Sequence, residues 1–448
     1  DLQYPHYLAM LNRQEVLLTV YSGRSEENAR RARELLFSVQ NSRKAREGGL
    51  AGLLDPALMV KKKAYEARLR EAVAKDSKLT DAAARPSPVP PRSKVDRDPK
   101  LKDAASAWDR VEQAQKVIAE NAKTYNMLEG AQGFRCTLFS IARTLVRNGE
   151  EKDKPNSDRL REYRDSARES LELQLLSEEP LYDDLEQLRL ADALTWLCQQ
   201  MGYNSPVVQK VLAGKSPRDR AAELVKNTKI KTVEFRKKLY EGGKAAIDNS
   251  SDPMIGLVKM IDADARAVRK IVETQDEIKR QAYSQIAAAK FAVEGTSTYP
   301  DATFTLRLAF GTVKGYEEDG KPVPYQTTFA GLYQRSKEHH NQQPFDLPPR
   351  WVERKDKLDL NVPFNFVCTA DIIGGNSGSP VINKNAEVVG LIFDGNIQSL
   401  VLDFIYTDVQ ARAVAVHSQG IIEALRKVYD VPALADELTG KKIQTGKN

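Results

Sequence analysis

Gly374-Gly375-Asn376-Ser377-Gly378-Ser379-Pro380-Val381 is the stretch on which the reading of this chain turns. It lies between two apolar segments, Phe364-Asn365-Phe366-Val367-Cys368 before it and Val388-Val389-Gly390-Leu391-Ile392-Phe393 after it. A serine flanked by glycines in a tight turn between strands is one way to present a nucleophile. Glycine permits backbone angles closed to other residues. The amides of Gly375 and Ser377 can then converge on one point as an oxyanion hole. Gly-x-Ser-Gly alone is common in loops, and a β-turn with an incidental serine is the competing reading. The length of the run and the strands on both sides favour the nucleophile. A strand-to-helix elbow would read Gly-x-Ser-x-Gly, and the β-rich surroundings disfavour it.

Working outward, residues from 296 to 448 read as a β half. Thr303-Phe304-Thr305-Leu306-Arg307-Leu308 alternates with period two, and Glu318-Asp319-Gly320-Lys321 is a hairpin signal. Strands are expected through Phe393 and again from Val401 to Thr407. A closing helix follows, with Ile421, Ile422, Leu425 and Val428 on one face.

Residues 1 to 295 read as nearly continuous helix. Ser25 caps a segment whose apolar stripe is Ala29, Ala32, Leu35, Leu36 and Val39. Asp55-Pro56 opens a second, with Leu58, Tyr65, Leu69 and Val73 on one side. Trp108, Val111, Ala114, Val117 and Ile118 form a third stripe. Ser216-Pro217-Arg218-Asp219 joins a capping box to a proline at the first helical position. Asp252-Pro253 starts a last helical stretch that ends at Gly295. A proline-rich loop over 85–100, opening on Arg85-Pro86-Ser87-Pro88-Val89-Pro90-Pro91, interrupts the helices. It reads as extended and exposed. The fold class is thus α+β, a large helical domain (1–295) followed by an antiparallel β domain (296–448).

The 448 residues suggest two or three domains. A net charge of +6 against 68 basic and 62 acidic residues argues for neither nucleic acid nor an anionic membrane as partner. No apolar stretch approaches the ~20 residues needed to span a bilayer. Cys136, Cys198 and Cys368 match no metal-ligand spacing and cannot all pair, so at least one buried thiol is expected. No metal or cofactor is indicated. The chain opens on Asp1-Leu2-Gln3-Tyr4-Pro5, without an initiator methionine or a signal peptide, so it says nothing of where the protein resides.

The nucleophile run with Gly390-Leu391-Ile392-Phe393-Asp394-Gly395-Asn396 behind it resembles the bacterial serine dipeptidyl-peptidases of the dipeptidyl-peptidase 7 and 11 type. Thr305-Leu306-Arg307-Leu308 with Gly311 and Gly315-Tyr316, the stretch Phe345-Asp346-Leu347-Pro348, and the large helical domain fit the same family. The resemblance implies a chymotrypsin-like double barrel with an inserted helical domain, of which this chain holds the helical domain and the second barrel. It implies release of dipeptides from free N-termini, with Ser377 as nucleophile and Gly375 in the oxyanion hole. Asp394 would grip the substrate α-ammonium. The best match for the amide that shares this work is Asn41, in Gln40-Asn41-Ser42-Arg43-Lys44 followed by Gly48 and Gly49. An α-amine has a pKa near ~8 and is mostly charged at neutral pH, so a carboxylate and an amide oxygen can read it. Members preferring acidic P1 residues carry arginine at the place of Gly395. Glycine there implies an open, uncharged pocket and an apolar or broad P1 preference.

A serine needs a base and a group to orient it. The resemblance places that histidine and aspartate in the first barrel. None of His6, His339, His340 and His417 occupies the family position. The expected partners are therefore peptide substrates, an N-terminal barrel segment supplying histidine and aspartate, and a second copy in a homodimer, in a periplasmic or secreted setting. The alternatives are a trypsin-like endopeptidase, which leaves the helical residues unexplained, and a non-catalytic peptide-binding relative.

Overall fold

The computed structural model describes residues 3–75, 106–295 and 306–440. The proline-rich loop and Thr303–Thr305 lie outside them. The chain divides into two compact units. One joins Asp1–Gln14, Phe37–Tyr65 and Pro300–Asn448; the other joins Glu15–Leu36 and Glu66–Tyr299. Ends of the first three long helices thus contribute to the unit that carries Ser377.

Helix starts fall where side chains can satisfy the first, otherwise orphaned, amides. Ser25 Oγ accepts from Asn28 N at 3.1 Å, and Asp55 Oδ1 accepts from Ala57 N at 2.9 Å. Ser216 Oγ accepts from Asp219 N at 3.1 Å, ahead of the helix Pro217–Asn227. Asp252 Oδ1 accepts from Met254 N and Ile255 N and opens the helix Pro253–Glu294, which Gly295 ends at φ +69°.

In the helical unit Pro253–Glu294 packs along Ala107–Thr124 and Thr137–Glu151. Their shared core includes Met127, Phe134, Leu145, Leu194, Leu224 and Val258. Beside it runs a buried charge network. Arg147 donates to Glu129 at 2.5 and 2.9 Å and to Asp262 at 2.7 Å, and Arg266 joins Asp262 to Glu151. Residues 152–167, expected as helix, instead form three short 3-10 turns. Side-chain bonds to local carbonyls there compete with helical ones: Arg159 donates to the Lys152 and Lys154 carbonyls, and Arg164 to that of Ser157.

The other unit is built on a five-stranded antiparallel sheet in the order β3-β4-β7-β6-β5. These are β3 (Gln326–Thr328), β4 (Pro363–Cys368), β5 (Pro380–Ile382), β6 (Val388–Gly395) and β7 (Ala413–His417). A hairpin of β1 (Tyr316–Glu318) and β2 (Lys321–Val323) precedes them. Its turn residues Asp319 and Gly320 both have positive φ, +50° and +72°, as a two-residue hairpin turn requires. Phe366, Cys368, Ile392, Ala413 and Ala415 form the core under the sheet.

Two strand expectations fail. Leu306–Leu308 form no strand and are exposed, because alternation makes a strand only where a neighbour supplies ladder bonds. None of the described residues pairs with them, and the chain is first caught at the Val313–Cys368 bridge. Val401–Thr407 also forms no strand. It leaves a 3-10 turn over Ile397–Val401, whose bonds close locally, and the last strand comes later as β7. All three cysteines are free thiols; burial pushes those of Cys136 and Cys368 above the ordinary range.

Candidate active site

The Ser377 loop is stitched to β6 immediately after the serine. Gly378 N donates to the Ile392 carbonyl at 2.7 Å, and Ile392 N donates to Ser379 at 3.0 Å. Gly375 and Gly378, at φ +103° and +85°, supply the reversals that a Cβ-bearing residue would resist. The loop spends its amides alternately. Asn376 N donates to Ile373 and Gly378 N to Ile392, whereas Gly375 N and Ser377 N have no acceptor among the described residues. Asn376 Oδ1 accepts from Ile373 N at 3.0 Å and from Arg307 Nη2 at 3.1 Å, which holds the loop in this shape. Ser377 is exposed, and its hydroxyl donates only a long 3.4 Å bond to the Phe393 carbonyl.

Phe393 has a special place in the sheet. Up to Ile392, β6 faces β7 in steady register, with Ile392 opposite Ala415; beyond it, Asp394 faces Val414 and Gly395 faces Ala413. Phe393 is the extra residue of a β-bulge. Directly paired residues share a sheet face. Ile392, Ala415, Ala413 and Gly395 therefore point to the core side, and Asp394 with Val414 points to the other. In a regular strand of period two, Asp394 would follow Ile392 inward. The exposed Asp394 carboxylate instead accepts from its neighbour Gly395 N at 2.8 Å.

The space beside Gly395 is not open in the direction a side chain would take. A Cβ there would lie 2.1 Å from Ser399 Oγ, which is fixed by donating to the Asn396 carbonyl at 2.7 Å. The pocket expected from the missing side chain is closed on this side by the 3-10 turn.

Asn41 is exposed on the helix Glu26–Leu54. Gly48 lies two turns further on, so the two share a face about 10 Å apart along the axis. That face meets the turn after Asp394: a Cβ on Gly48 would sit 2.1 Å from Leu400 Cδ1, and one on Gly52 would sit 3.1 Å from Val401 Cβ. Small residues here let the helix lie close to the segment that follows β6. Asn41, Ser377, Asp394 and Gly395 all belong to the same compact unit.

Three of the four histidines have side-chain partners of their own. His417 Nδ1 accepts from Gln419 N at 3.1 Å as the cap of the helix Ser418–Lys427, and burial holds its pKa below the usual histidine value. His339 stacks on Phe345, and His6 lies edge-on to Tyr7. His340 sits in a turn at φ +57°.

Sequence reading missed Phe393, Arg307 and Arg412. The bulge shows only in the pairing of strands. Arg307 belongs to a segment expected as an ordinary strand. Arg412 is 1% exposed and donates to the carbonyls of Lys314, Gly315, Asp408 and Ala411, tying the β1–β2 hairpin to the strand end beside Gly395. The bracing role of Asn376 was also missed, although asparagine in a glycine-rich turn is a signal that could have found it. No group of metal-binding side chains occurs among the described residues, and no helix there is long and apolar enough to cross a membrane.

A glycine-framed serine loop on an antiparallel sheet, joined to a large helical unit, is the architecture of a peptidase family. The chain belongs to the Peptidase S46 family, which it matches over residues 1–86 and 92–440. It is 38% identical over 149 residues to dipeptidyl-peptidase 7 of Phocaeicola vulgatus, covering 31% of this chain and 20% of that protein. It is 26% identical over 339 residues to the Asp/Glu-specific dipeptidyl-peptidase of Shewanella putrefaciens, covering 67% of this chain and 46% of that protein. Among solved structures, Porphyromonas endodontalis DPP11 in complex with the dipeptide Arg-Glu superposes with a TM-score of 0.66 at 18% identity, over 97% of this chain and 60% of that one. The chain thus spans less than half the length of these curated relatives.

Proposed function

We propose that this chain is the nucleophile-bearing part of a serine-type dipeptidyl aminopeptidase, which releases dipeptides from the free N-terminus of oligopeptides. The observation that carries the reading is the alternation in the Ser377 loop: two amides committed, and those of Gly375 and Ser377 uncommitted on either side of Asn376. Ser377 attacks the scissile carbonyl, and the two free amides receive the oxyanion. Asp394, turned out by the bulge, and Asn41, on the helix face that meets the following turn, bind the α-ammonium. Fixing the amine at a set distance from the nucleophile selects the second peptide bond.

The histidine and aspartate of the triad come from an N-terminal barrel segment. This fits the side-chain commitments of His6, His339 and His417 described above. The whole enzyme works as a homodimer in the periplasm or outside the cell. Its P1 preference is apolar or broad, because Gly395 adds no cation to the site. Acidic P1 specificity is the second reading. It is favoured by Arg307, whose guanidinium lies on the nucleophile loop, and by the Asp/Glu specificity that the Shewanella relative is named for. The test is turnover of dipeptidyl substrates by the full-length enzyme with free or acetylated N-termini. Cleavage of both alike would refute the exopeptidase reading.

A further inference from the structure

The helical unit holds a half-open cavity of about 260 Å³ between the end of the helix Thr137–Glu151, the 3-10 turns after it, Leu171 and Tyr240. None of its lining residues belongs to the site around Ser377. Its wall is firmly built. Arg159 bonds the carbonyls of Lys152 and Lys154 at 3.2 and 2.9 Å, and Asp165 N donates to Asn156 Oδ1 at 2.9 Å.

Its chemistry is unbalanced in one direction. Of the lining cations, Arg159 is paired with Asp165 at 2.8 Å and Arg168 with Glu172 at 2.8 Å. Lys152 forms no ion pair among the described residues, which leaves one surplus positive charge. Asn148 is only 9% exposed, yet its carboxamide makes no hydrogen bond among the described residues. Its amide atoms are not sealed from water, so they can meet a ligand atom from the cavity. Asn148 and Lys152 are four residues apart and share a helix face. The Tyr163 hydroxyl is likewise uncommitted, and burial first of all raises its pKa to about 12, which keeps it a proton donor. Carbonyls at this helix end would repel an anion, but the Arg159 guanidinium covers two of them. Leu171 and the Tyr240 ring, whose hydroxyl is spent on Glu172 at 2.7 Å, supply an apolar wall.

We propose that this cavity binds a small organic carboxylate, its charge met by Lys152, Asn148 and Tyr163 and its hydrocarbon arm laid on Leu171 and Tyr240. One surplus cation with two neutral hydrogen-bonding groups suits a monoanion, and the apolar wall suits a short chain. The site is independent of the peptidase reading.

Ligand-observed NMR titration of the protein with sodium butyrate, butyramide and sodium phosphate at fixed ionic strength tests it. Saturable butyrate binding is expected, lost by about tenfold in Lys152→Met and again in Asn148→Leu, as for a lost hydrogen bond to a charged group. Ser377→Ala should leave it unchanged, which separates this site from the nucleophile. Lys152 is exposed, so its variant should fold even if the buried Asn148 variant does not. The proposal is overturned if butyrate fails to saturate, if butyramide binds as well, if phosphate binds in its place, or if Lys152→Met binds butyrate like the wild type.

Discussion

Ser377 and Phe393 meet across the edge of the sheet: the serine hydroxyl donates to the carbonyl of the bulged residue at 3.4 Å. That is long for a hydroxyl donor, so the hydroxyl is lightly held and can turn toward a base. The same bulge sends Asp394 to the face opposite the core. One irregularity in β6 therefore serves both the nucleophile and the carboxylate proposed to read the substrate amine.

Deleting Phe393 would close the bulge: Asp394 would follow Ile392 directly and stay opposite Val414 on the outer face, but the carbonyl that receives the Ser377 hydroxyl would be lost. In the full-length enzyme kcat/KM should fall by about 10²-fold or more, the scale of a small misplacement in a catalytic site. Circular dichroism and peptide turnover measured together check this. A deletion variant that keeps its activity would show that the bulge positions nothing.

Asp394→Ala should lose a few orders of magnitude in kcat/KM on free-amine peptides, because removing one partner of a desolvated charge pair costs ~2–5 kcal/mol. Any residual cleavage of N-acetylated peptides should change little. Asn41→Ala should show the same selectivity at smaller size, since an amide oxygen carries no full charge. Equal losses on the two substrates would assign both residues to the fold.

P1 preference separates the two readings of the pocket. Matched substrates with leucine or glutamate at P1 should favour leucine, and Arg307→Ala should leave that ratio within about twofold, as an exposed charge contributes little. A preference for glutamate that collapses in Arg307→Ala would establish the acidic reading.

The helical unit makes its own prediction. Arg147→Met leaves Glu129 and Asp262 buried with part of their compensation gone, and should cost ~3–5 kcal/mol in denaturant unfolding. Acid should act on the same network. Burial raises Glu151 and Glu162, but bonds from Lys154, the Leu160 amide and Arg266 to Glu151, and from Arg269 to Glu162, outweigh it and hold both below the usual carboxylate value. A depressed folded pKa gives stability that is complete above the unfolded value, about 4.3. It is lost as pH falls through the folded one. Melting temperature should therefore drop below about pH 4, and less steeply in Glu151→Gln.

Helix boundaries were legible because their signals are local: Ser25, Asp55, Ser216 and Asp252 each cap with their own side chain. The serine loop was legible for the same reason, as glycines at fixed offsets. The bulge, the Arg412 tie and the loss of the strand at Leu306–Leu308 depend on which strands pair, and no periodicity carries that. The 3-10 turns after Glu151 escaped notice because arginine side chains, otherwise good helix formers, there take up local carbonyls. Gly395 was read for the side chain it lacks, whereas its neighbour Ser399 lies too far along the chain to be seen as filling the space.

The central claim is that Ser377 is the nucleophile, and one comparison tests it directly. Dipeptide release from a free-amine peptide should be measured for the full-length enzyme and for Ser377→Ala, together with labelling by a serine-reactive phosphonate. Ser377 is exposed and makes one long hydrogen bond, so the variant should melt like the wild type. Turnover should fall by about 10⁴-fold or more, and labelling should vanish. Turnover near wild type in a folded Ser377→Ala protein would contradict the account.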